Sequence, residues 1–386
     1  MSALPLRTLL VLAVVVLLGC LTEVLPAGLL LGMSADLGVP PATTGQLVTG
    51  YALSTAVTAV PLTALTARLP RRAVLLALVA GFAVTNLVIA ASPWYALVLG
   101  ARILSGAITG VMWSLVAVYA MRVAPPGSAG RALAITMAGT PIGFAVGVPA
   151  GTALGELVGW RWAFVVMGAV AVPLFAAVVA AVPPLRPDTD RAPGGGGVRA
   201  ALAVPGLRRV LPVVLLFSLA HNTLYTYLGP VLARVGRAAL LGTTLLVFGC
   251  AAVVGILLVG VLLDRRPRLV PALCAVFAAA GMLLLGVAGG DVPTLLAAAA
   301  VWGLAFGGAP TAFQAVTALV AGPTADGAQS LTIAAWNGAV AGGAALGGVL
   351  LDVLPATLPW AAAAVMCLPA VLRSRDDRTP ARFPLG

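Results

Sequence analysis

Twelve apolar stretches, each long enough to cross a bilayer, follow one another through this chain and leave room for little else. They cover residues 6–32, 44–67, 73–92, 95–121, 131–155, 160–182, 209–233, 239–263, 269–289, 292–320, 328–351 and 356–372. A transmembrane helix takes roughly 20 residues, so twelve fit within 386 and leave only short loops. Of the residues, 61% are apolar and 9% charged, whereas a soluble domain carries about 25% charge. In lipid each backbone polar group must be satisfied within the protein, so a spanning segment is a helix. The expected fold is an all-α membrane protein of twelve transmembrane helices.

A formal charge of +11 could point to a nucleic-acid partner, but its distribution along the chain reads as orientation. All basic residues are Arg. With the N-terminus placed in the cytoplasm, Arg161, Arg234 and Arg237 fall outside and Arg102 within a span; the rest of the 22 are cytoplasmic. Such a bias predicts a multi-pass protein of the inner (plasma) membrane with both termini in the cytoplasm. The first stretch is too long for a signal-peptide core and contains Glu23, so it is read as a retained helix. Cys20, Cys250, Cys274 and Cys367 all lie within spans without a CxxC pair, and no metal site is expected.

Residues 183–208 form the one long polar stretch between spans, with Pro183, Pro184, Pro187 and Pro193, a run from Gly194 to Gly197, and several arginines. This composition predicts a flexible cytoplasmic linker. It divides the chain into a six-helix bundle over 1–182, a second over 209–375, and a cytoplasmic tail over 376–386. The halves echo each other as internal repeats do. Arg68, in Thr63-Ala-Leu-Thr-Ala67-Arg68-Leu69-Pro70-Arg71-Arg72, stands where Arg265 stands in Gly260-Val-Leu-Leu-Asp264-Arg265-Arg266-Pro267-Arg268. A weaker echo links Pro26 with Pro230.

The later of these loops resembles the major facilitator signature G-x-x-x-D-R-x-G-R, with Pro267 at its second glycine. The earlier copy departs at Thr63, Ala67 and Pro70. Arg102-Ile-Leu-Ser105-Gly106 resembles the fourth-helix R-x-x-x-G signature. Gly147-Val-Pro149-Ala-Gly151 followed by Gly155 is similar to the fifth-helix antiporter motif, and Gly159-Trp160-Arg161-Trp162-Ala-Phe164 to the start of the sixth helix. With Thr22-Glu23, Pro26-Ala-Gly28, Asp36-Leu-Gly and Gly45-Gln46-Leu-Val, the chain resembles the sugar-efflux and chloramphenicol-resistance branch of the drug:proton antiporters in the major facilitator superfamily. The resemblance implies two pseudo-symmetric six-helix bundles around a central cavity lined by helices 1 and 4. It also implies gating by Arg68, Arg71, Arg72, Asp264 and Arg265, and contact of the fifth-helix glycines with helix 8, where Gly249 and Gly260 lie.

Glu23 is the one acidic residue deep within a span. Burying its charge costs roughly 2.5–3.5 kcal/mol on insertion scales, and such residues are functional by default. It is the expected proton-coupling group; a static, hydrogen-bonded carboxyl is the bland reading. Arg102 sits at equal depth on an oppositely directed helix and is its expected partner, as a fixed positive charge. Alternatively, Arg102 bonds backbone carbonyls. His221, the sole histidine, stands near Asn222, Tyr225 and Tyr227, and either relays protons, lines the substrate cavity or simply packs. Asn86, Trp113, Ser114, Gln314 and Asn337 are further cavity candidates, each equally readable as a helix-to-helix hydrogen bond. Relatives of the branch often carry His on helix 4, where this chain has Thr109. Glycines 139, 143, 147, 151 and 155 recur at every fourth position of the fifth stretch, with Pro141 and Pro149 adding bends, and predict a close helix interface. Gly338, Gly342, Gly343 and Gly347 repeat the pattern in the eleventh.

These features favour proton-coupled efflux of a small drug, sugar or metabolite by a monomeric, cofactor-free carrier driven by the proton gradient. Uptake or facilitated diffusion is the alternative within transport. A membrane-embedded enzyme is disfavoured, because one histidine and one deep carboxyl supply no catalytic cluster. The lack of a GxxxxGK[ST] motif disfavours ATP drive.

Overall fold

A computed structural model describes residues 4–126, 128–185, 202–266, 269–288, 290–322 and 325–376. The expected linker residues 186–201, the tail 377–386, and Pro267 and Arg268 of the signature lie outside the described residues, as does the side chain of Asp264. Helices succeed one another as α1 (Leu6–Leu37), α2 (Pro41–Thr66), α3 (Arg71–Ala91), α4 (Tyr95–Val123), α5 (residues 129–158) and α6 (Trp160–Ala181). Then follow α7 (Pro205–Tyr225, continuing as Leu228–Arg234), α8 (Leu241–Arg265), α9 (Val270–Val287), α10 (Val292–Ala321), α11 (Ala325–Val353) and α12 (Leu358–Asp376). Among the described residues nine helices are long and apolar enough alone to cross a membrane, and a tenth is the bent α7. The other two are α2, of 26 residues, and α12, of 19.

The surface is the inverse of a soluble protein's. Leu10, Leu104, Val172, Leu257, Val261 and Val276 are exposed, while Thr22, Asn86, Arg102, Ser105, Thr109 and Thr223 are buried. Apolar surface on this scale is solvated by lipid chains. One apolar cluster gathers buried residues of α1, α3, α4 and α6, and a second those of α7, α8, α9, α10 and α12.

Several boundaries differ from the apolar stretches, for local reasons. α1 runs past residue 32 to Leu37, because nothing stops it before Gly38, whose left-handed backbone (φ 65°) closes the helix. α2 starts at Pro41 and α7 at Pro205, each proline at the first turn, where its missing N–H costs nothing. The extension of α1 carries Asp36 to the start of α6, beyond the Gly159 turn (φ 98°). There Asp36 accepts from Trp160 Nε1 at 3.0 Å and pairs with Arg161 at 3.1 Å, while Arg161 also donates to the Ser92 carbonyl and covers the Trp160 ring. Two separate sequence motifs thus meet as one clamp across α1, α3 and α6.

The bends follow from proline. A proline lacks the N–H that would reach the carbonyl four residues back, and its ring crowds that carbonyl. In α5, Pro141 coincides with a break at Ala138, and Pro149 with a five-residue π-helical turn, Gly143–Gly147. In α7, Pro230 frees the Thr226 carbonyl, and the helix breaks between Tyr225 and Leu228 with a bend of 48°.

Glycines decide how closely helices approach. A Cβ at Gly139, Gly143, Gly147, Gly151 or Gly155 would collide with Ala13, Cys20, Leu21, Leu25 or Leu29 respectively, so the α5 stripe seats against α1. The expectation that this stripe meets α8 is therefore corrected. A four-residue period fixes which face is small, not which neighbour fills it. α5 does meet α8, but through the Phe144 carbonyl and Ala145 of its π turn, against Gly249. Gly260 has nothing within 4 Å of a Cβ and is no packing glycine. In the other half Gly343 and Gly347 of α11 press on Leu219, Asn222 and Thr223 of α7, repeating the α5–α1 contact.

Candidate functional site

Pro26 also frees and crowds a carbonyl, that of Thr22, yet α1 runs on without a break. Arg102 explains this. Its Nη1 donates to the Thr22 carbonyl, its Nη2 to the Glu23 carbonyl at 3.0 Å, and its Nε to the Leu47 carbonyl of α2 at 3.3 Å. The guanidinium is fully buried and lies 4.3 Å from the Tyr51 ring centre, a cation–π contact. A fork of donors is suited to capping two successive carbonyls, which a lysine could not reach together.

Glu23 and Arg102 are brought together, as their equal depth suggested, but not as an ion pair. The guanidinium holds the Glu23 backbone. Among the described residues the Glu23 carboxyl, only half-buried, makes no hydrogen bond or ion pair. Around it stands a polar shell. Thr22 Oγ1 accepts from Asn86 Nδ2 at 3.2 Å, the Tyr51 and Thr109 hydroxyls bond at 2.6 Å, and Thr55 donates to the Gly106 carbonyl at 2.9 Å. Thr109 is thus a fixed partner of Tyr51. Gly106 completes the Arg102 motif, because a Cβ there would strike the Tyr51 carbonyl.

The opposite half is built otherwise. His221 is 2% exposed and lies between aromatic rings: Phe306 at 3.9 Å and nearly parallel (14°), Tyr225 at 5.0 Å, Trp302 at 5.2 Å and Phe248 at 5.9 Å. Phe144, from the π turn of α5, closes the box from the other half, 5.3 Å from Phe306 and 6.2 Å from Tyr225. His221 Nδ1 and Trp302 Nε1 are both buried without a hydrogen-bond partner.

The two centres occupy equivalent places. The interval that separates Arg68 from Arg265 also separates Tyr51 from Phe248, Thr109 from Phe306, Gly106 from Gly303 and Arg102 from Ala299. Contacts obey the same repeat: Gly106 packs on the Tyr51 carbonyl, and Gly303 on that of Phe248. On α1 and α7, Gly147 meets Leu21 where Gly343 meets Leu219. Glu23 and His221 follow these two leucines by the same step. Sequence reasoning missed Tyr51, Phe248, Trp302, Phe306 and Phe144, though the constant interval exposes the first two.

The remaining candidates disperse. Asn222 bonds Ser218 and packs against Gly343; Asn337 bonds its own helix at the Ile333 carbonyl. Ser114 bonds Thr63 of α2 at 3.0 Å, with Trp113 half-buried beside it. The Gln314 side chain is exposed, and only its carbonyl is engaged, by Gln329. These residues do not join the aromatic box. Arg72 donates to the Val179 carbonyl and the Arg71 backbone N–H to that of Leu185, tying α3 to the end of α6 within one half. Arg68 and Arg265 are exposed at their helix ends.

Contacts between halves gather toward the end carrying the α1–α2 connection. Tyr227 donates to the Ala344 carbonyl at 2.8 Å and to that of Ala42 at 3.4 Å, and its hydroxyl fills the space a Cβ of Gly45 would need. Val48 and Ala52 of α2 pack on Val340, Ala341 and Ala344 of α11. Beside the Gly249 contact, a cleft of about 430 Å³ opens between α5 and α8, lined by Pro149, Glu156, Gly242 and Thr243 among others.

Comparison with known proteins agrees with this architecture. Residues 11–322 match the model of the Major Facilitator Superfamily. A Pseudomonas aeruginosa protein named transcription regulatory protein OpdE is 33% identical over 343 residues, covering 86% of this chain and 83% of that one. The chloramphenicol efflux pump Rv0191 of Mycobacterium tuberculosis is 30% identical over 353 residues, 89% of this chain and 86% of the pump. Among solved structures a point mutant of the nucleoside transporter NupG superposes with a TM-score of 0.79 at 12% identity, over 96% of this chain and 99% of that one. Twelve helices in two pseudo-symmetric bundles, with these matches, make the chain a multi-pass membrane transporter rather than an enzyme, and it belongs to the Major Facilitator Superfamily.

Proposed function

We propose that this transporter exports a small organic solute in exchange for protons, by rocking of its two halves about the centre that holds Glu23 and His221. The observation that carries this reading is the Glu23 carboxyl itself. It stands deep in α1, unpaired, on a proline-bearing segment whose backbone Arg102 holds in place. A carboxyl so placed gains or loses its proton as the water around it changes, while the positive charge beside it stays constant. One proton moving down 100 mV releases about 2.3 kcal/mol, enough for roughly a 40-fold solute gradient at 1.4 kcal/mol per decade.

The bias in the arginines supports cytoplasmic termini and an inner-membrane location. In that orientation the α1–α2 end faces outward, so Tyr227 and Gly249 seal the outer side and the cytoplasmic side is free to load solute. The efflux pump among the relatives supports the export direction. Residues 183–208 act as the linker between halves in this reading, the carrier works as a monomer, and the proton gradient is its energy source.

The test uses energised inside-out vesicles carrying wild type or Glu23→Gln, challenged with phenicols, sugars, nucleosides and cationic dyes. Export by proton exchange is supported when a compound discharges the gradient with wild type alone. An equal response from both proteins removes Glu23 from the coupling role.

A further inference from the structure

We propose that the cleft between α5 and α8 holds a phospholipid with a primary ammonium head group, as in phosphatidylethanolamine, its ammonium on Glu156 and one acyl chain in the slot below. The site is separate from the centre around Glu23. Its shape comes from two glycines on one face of α8. A Cβ at Gly249 would strike the Phe144 carbonyl and Ala145 of α5, whereas Gly242, two turns earlier, has nothing within 4 Å of a Cβ. The two helices therefore touch at the π turn and splay apart toward the end carrying the α1–α2 connection, leaving the cleft of about 430 Å³. Val146, Ala150 and Ala153 of α5 and Leu246 of α8 line it and are exposed, so its mouth faces the lipid-solvated surface. From Val146 to Glu156 the slot runs about 15 Å along α5. With cytoplasmic termini, this end lies in the outer leaflet.

The lining changes along that length. The inner stretch is carbon, and the outer end carries Glu156 from one half and Thr243 from the other. Glu156 stands in the last turn of α5, beside carbonyls at the negative end of the helix dipole, and no basic residue shares that turn. Among the described residues its carboxyl makes no ion pair or hydrogen bond, so the stabilising cation has to come from outside the chain. Thr244 donates to the Leu240 carbonyl at 2.7 Å, as helical threonines do, while the neighbouring Thr243 hydroxyl makes no hydrogen bond among the described residues. A carboxylate, a free hydroxyl and a carbon slot, in that order from the interface inward, match the order of groups in such a lipid. The ammonium donates charge-assisted hydrogen bonds to Glu156, and phosphate or ester oxygens accept from Thr243. Lipid tails are as apolar as the slot, so the tail supplies fit and the head group supplies selectivity. A phosphatidylglycerol would bring a negative charge to the carboxylate, and a choline head group has no N–H to donate.

Native mass spectrometry of the full protein released from detergent micelles tests this. The protein is titrated separately with phosphatidylethanolamine, phosphatidylcholine and phosphatidylglycerol of identical chains. Wild type is expected to bind phosphatidylethanolamine about tenfold more tightly than either of the others, near 1.4 kcal/mol. Glu156→Gln should erase that preference. Ala150→Phe, which fills the slot from an exposed position and leaves Glu156 in place, should abolish the tight binding. Equal affinity of wild type for the three lipids, a preference for phosphatidylglycerol, a preference that survives Glu156→Gln, or unchanged binding by Ala150→Phe would overturn the proposal. Lipid affinity is read without solute or proton gradient, so this site and Glu23-dependent proton exchange can fail independently.

Discussion

The two halves repeat one scaffold around opposite chemistries. At equivalent positions the first half places Glu23, Tyr51, Arg102 and Thr109, and the second His221, Phe248, Ala299 and Phe306. Their prolines show what the difference does. Pro26 frees a carbonyl that Arg102 caps, and α1 stays continuous; among the described residues no side chain caps the carbonyl that Pro230 frees, and α7 bends by 48°. The polar centre holds backbone through Arg102, while the Glu23 carboxyl and Asn86 Oδ1 make no hydrogen bond among the described residues. An aromatic centre can leave two nitrogens unpaired and still pack. The first arrangement sets a guanidinium beside the Glu23 carboxyl, and the second packs aromatic rings directly against the imidazole.

The comparison breaks most visibly at Arg102. Replacing it with Ala orphans the carbonyls of Thr22, Glu23 and Leu47, each worth about 1–3 kcal/mol when buried. After relief of the guanidinium's own burial, a net loss of about 2–4 kcal/mol is expected, read as a lowered melting midpoint in detergent. Adding Pro26→Ala returns an N–H to the Thr22 carbonyl, so the double variant should regain about 1 kcal/mol. An equal melting point for the single and double variants would mean that Arg102 does not act by capping the carbonyls that Pro26 frees.

A paired substitution sharpens the contrast. Tyr51→Phe removes the bond to Thr109 and leaves that hydroxyl buried, at an expected cost of about 1 kcal/mol. His221→Phe, in the aromatic half, keeps the stack and removes an unpaired nitrogen, so stability should stay within about 0.5 kcal/mol or rise. Thermal melts of the two variants side by side decide this; a larger loss for His221→Phe would reveal a hidden polar partner.

The smallest effect lies at the start of α10. Asp291 caps that helix through Thr294, whose hydroxyl and backbone N–H hold the carboxyl below its ordinary 3.8. A depressed carboxylate contributes stability that is complete above its unfolded value and lost as pH falls through its folded one. The melting difference between wild type and Asp291→Ala should therefore be constant from neutral pH down to about 4 and shrink only below it. A difference that already fades between about pH 7 and 5 would place the titrating group elsewhere.

Much of this architecture is legible in the sequence, because lipid imposes a simple rule on long apolar runs. The helix succession, the bends at Pro141 and Pro149, and the isolation of Glu23 can all be read residue by residue. What cannot be read is which neighbour a face meets. The α5 glycines show a narrow face but do not name α1, and equal depth places Arg102 beside Glu23 without saying that it grips the backbone. The aromatic box was obscured because Phe and Trp in an apolar run look like lipid-facing filler. Only their interval from Tyr51 and Thr109 marks them as the counterpart of a polar centre.

The division between a proton half and a solute half is tested most directly by counting protons released when a solute binds purified protein, using a pH indicator in weak buffer. Wild type should release protons on binding, and Glu23→Gln should bind the same solute and release none. His221→Phe should bind more weakly yet release as many protons per bound solute as wild type. Proton release that survives Glu23→Gln but disappears in His221→Phe would contradict the division and move the coupling site into the aromatic half.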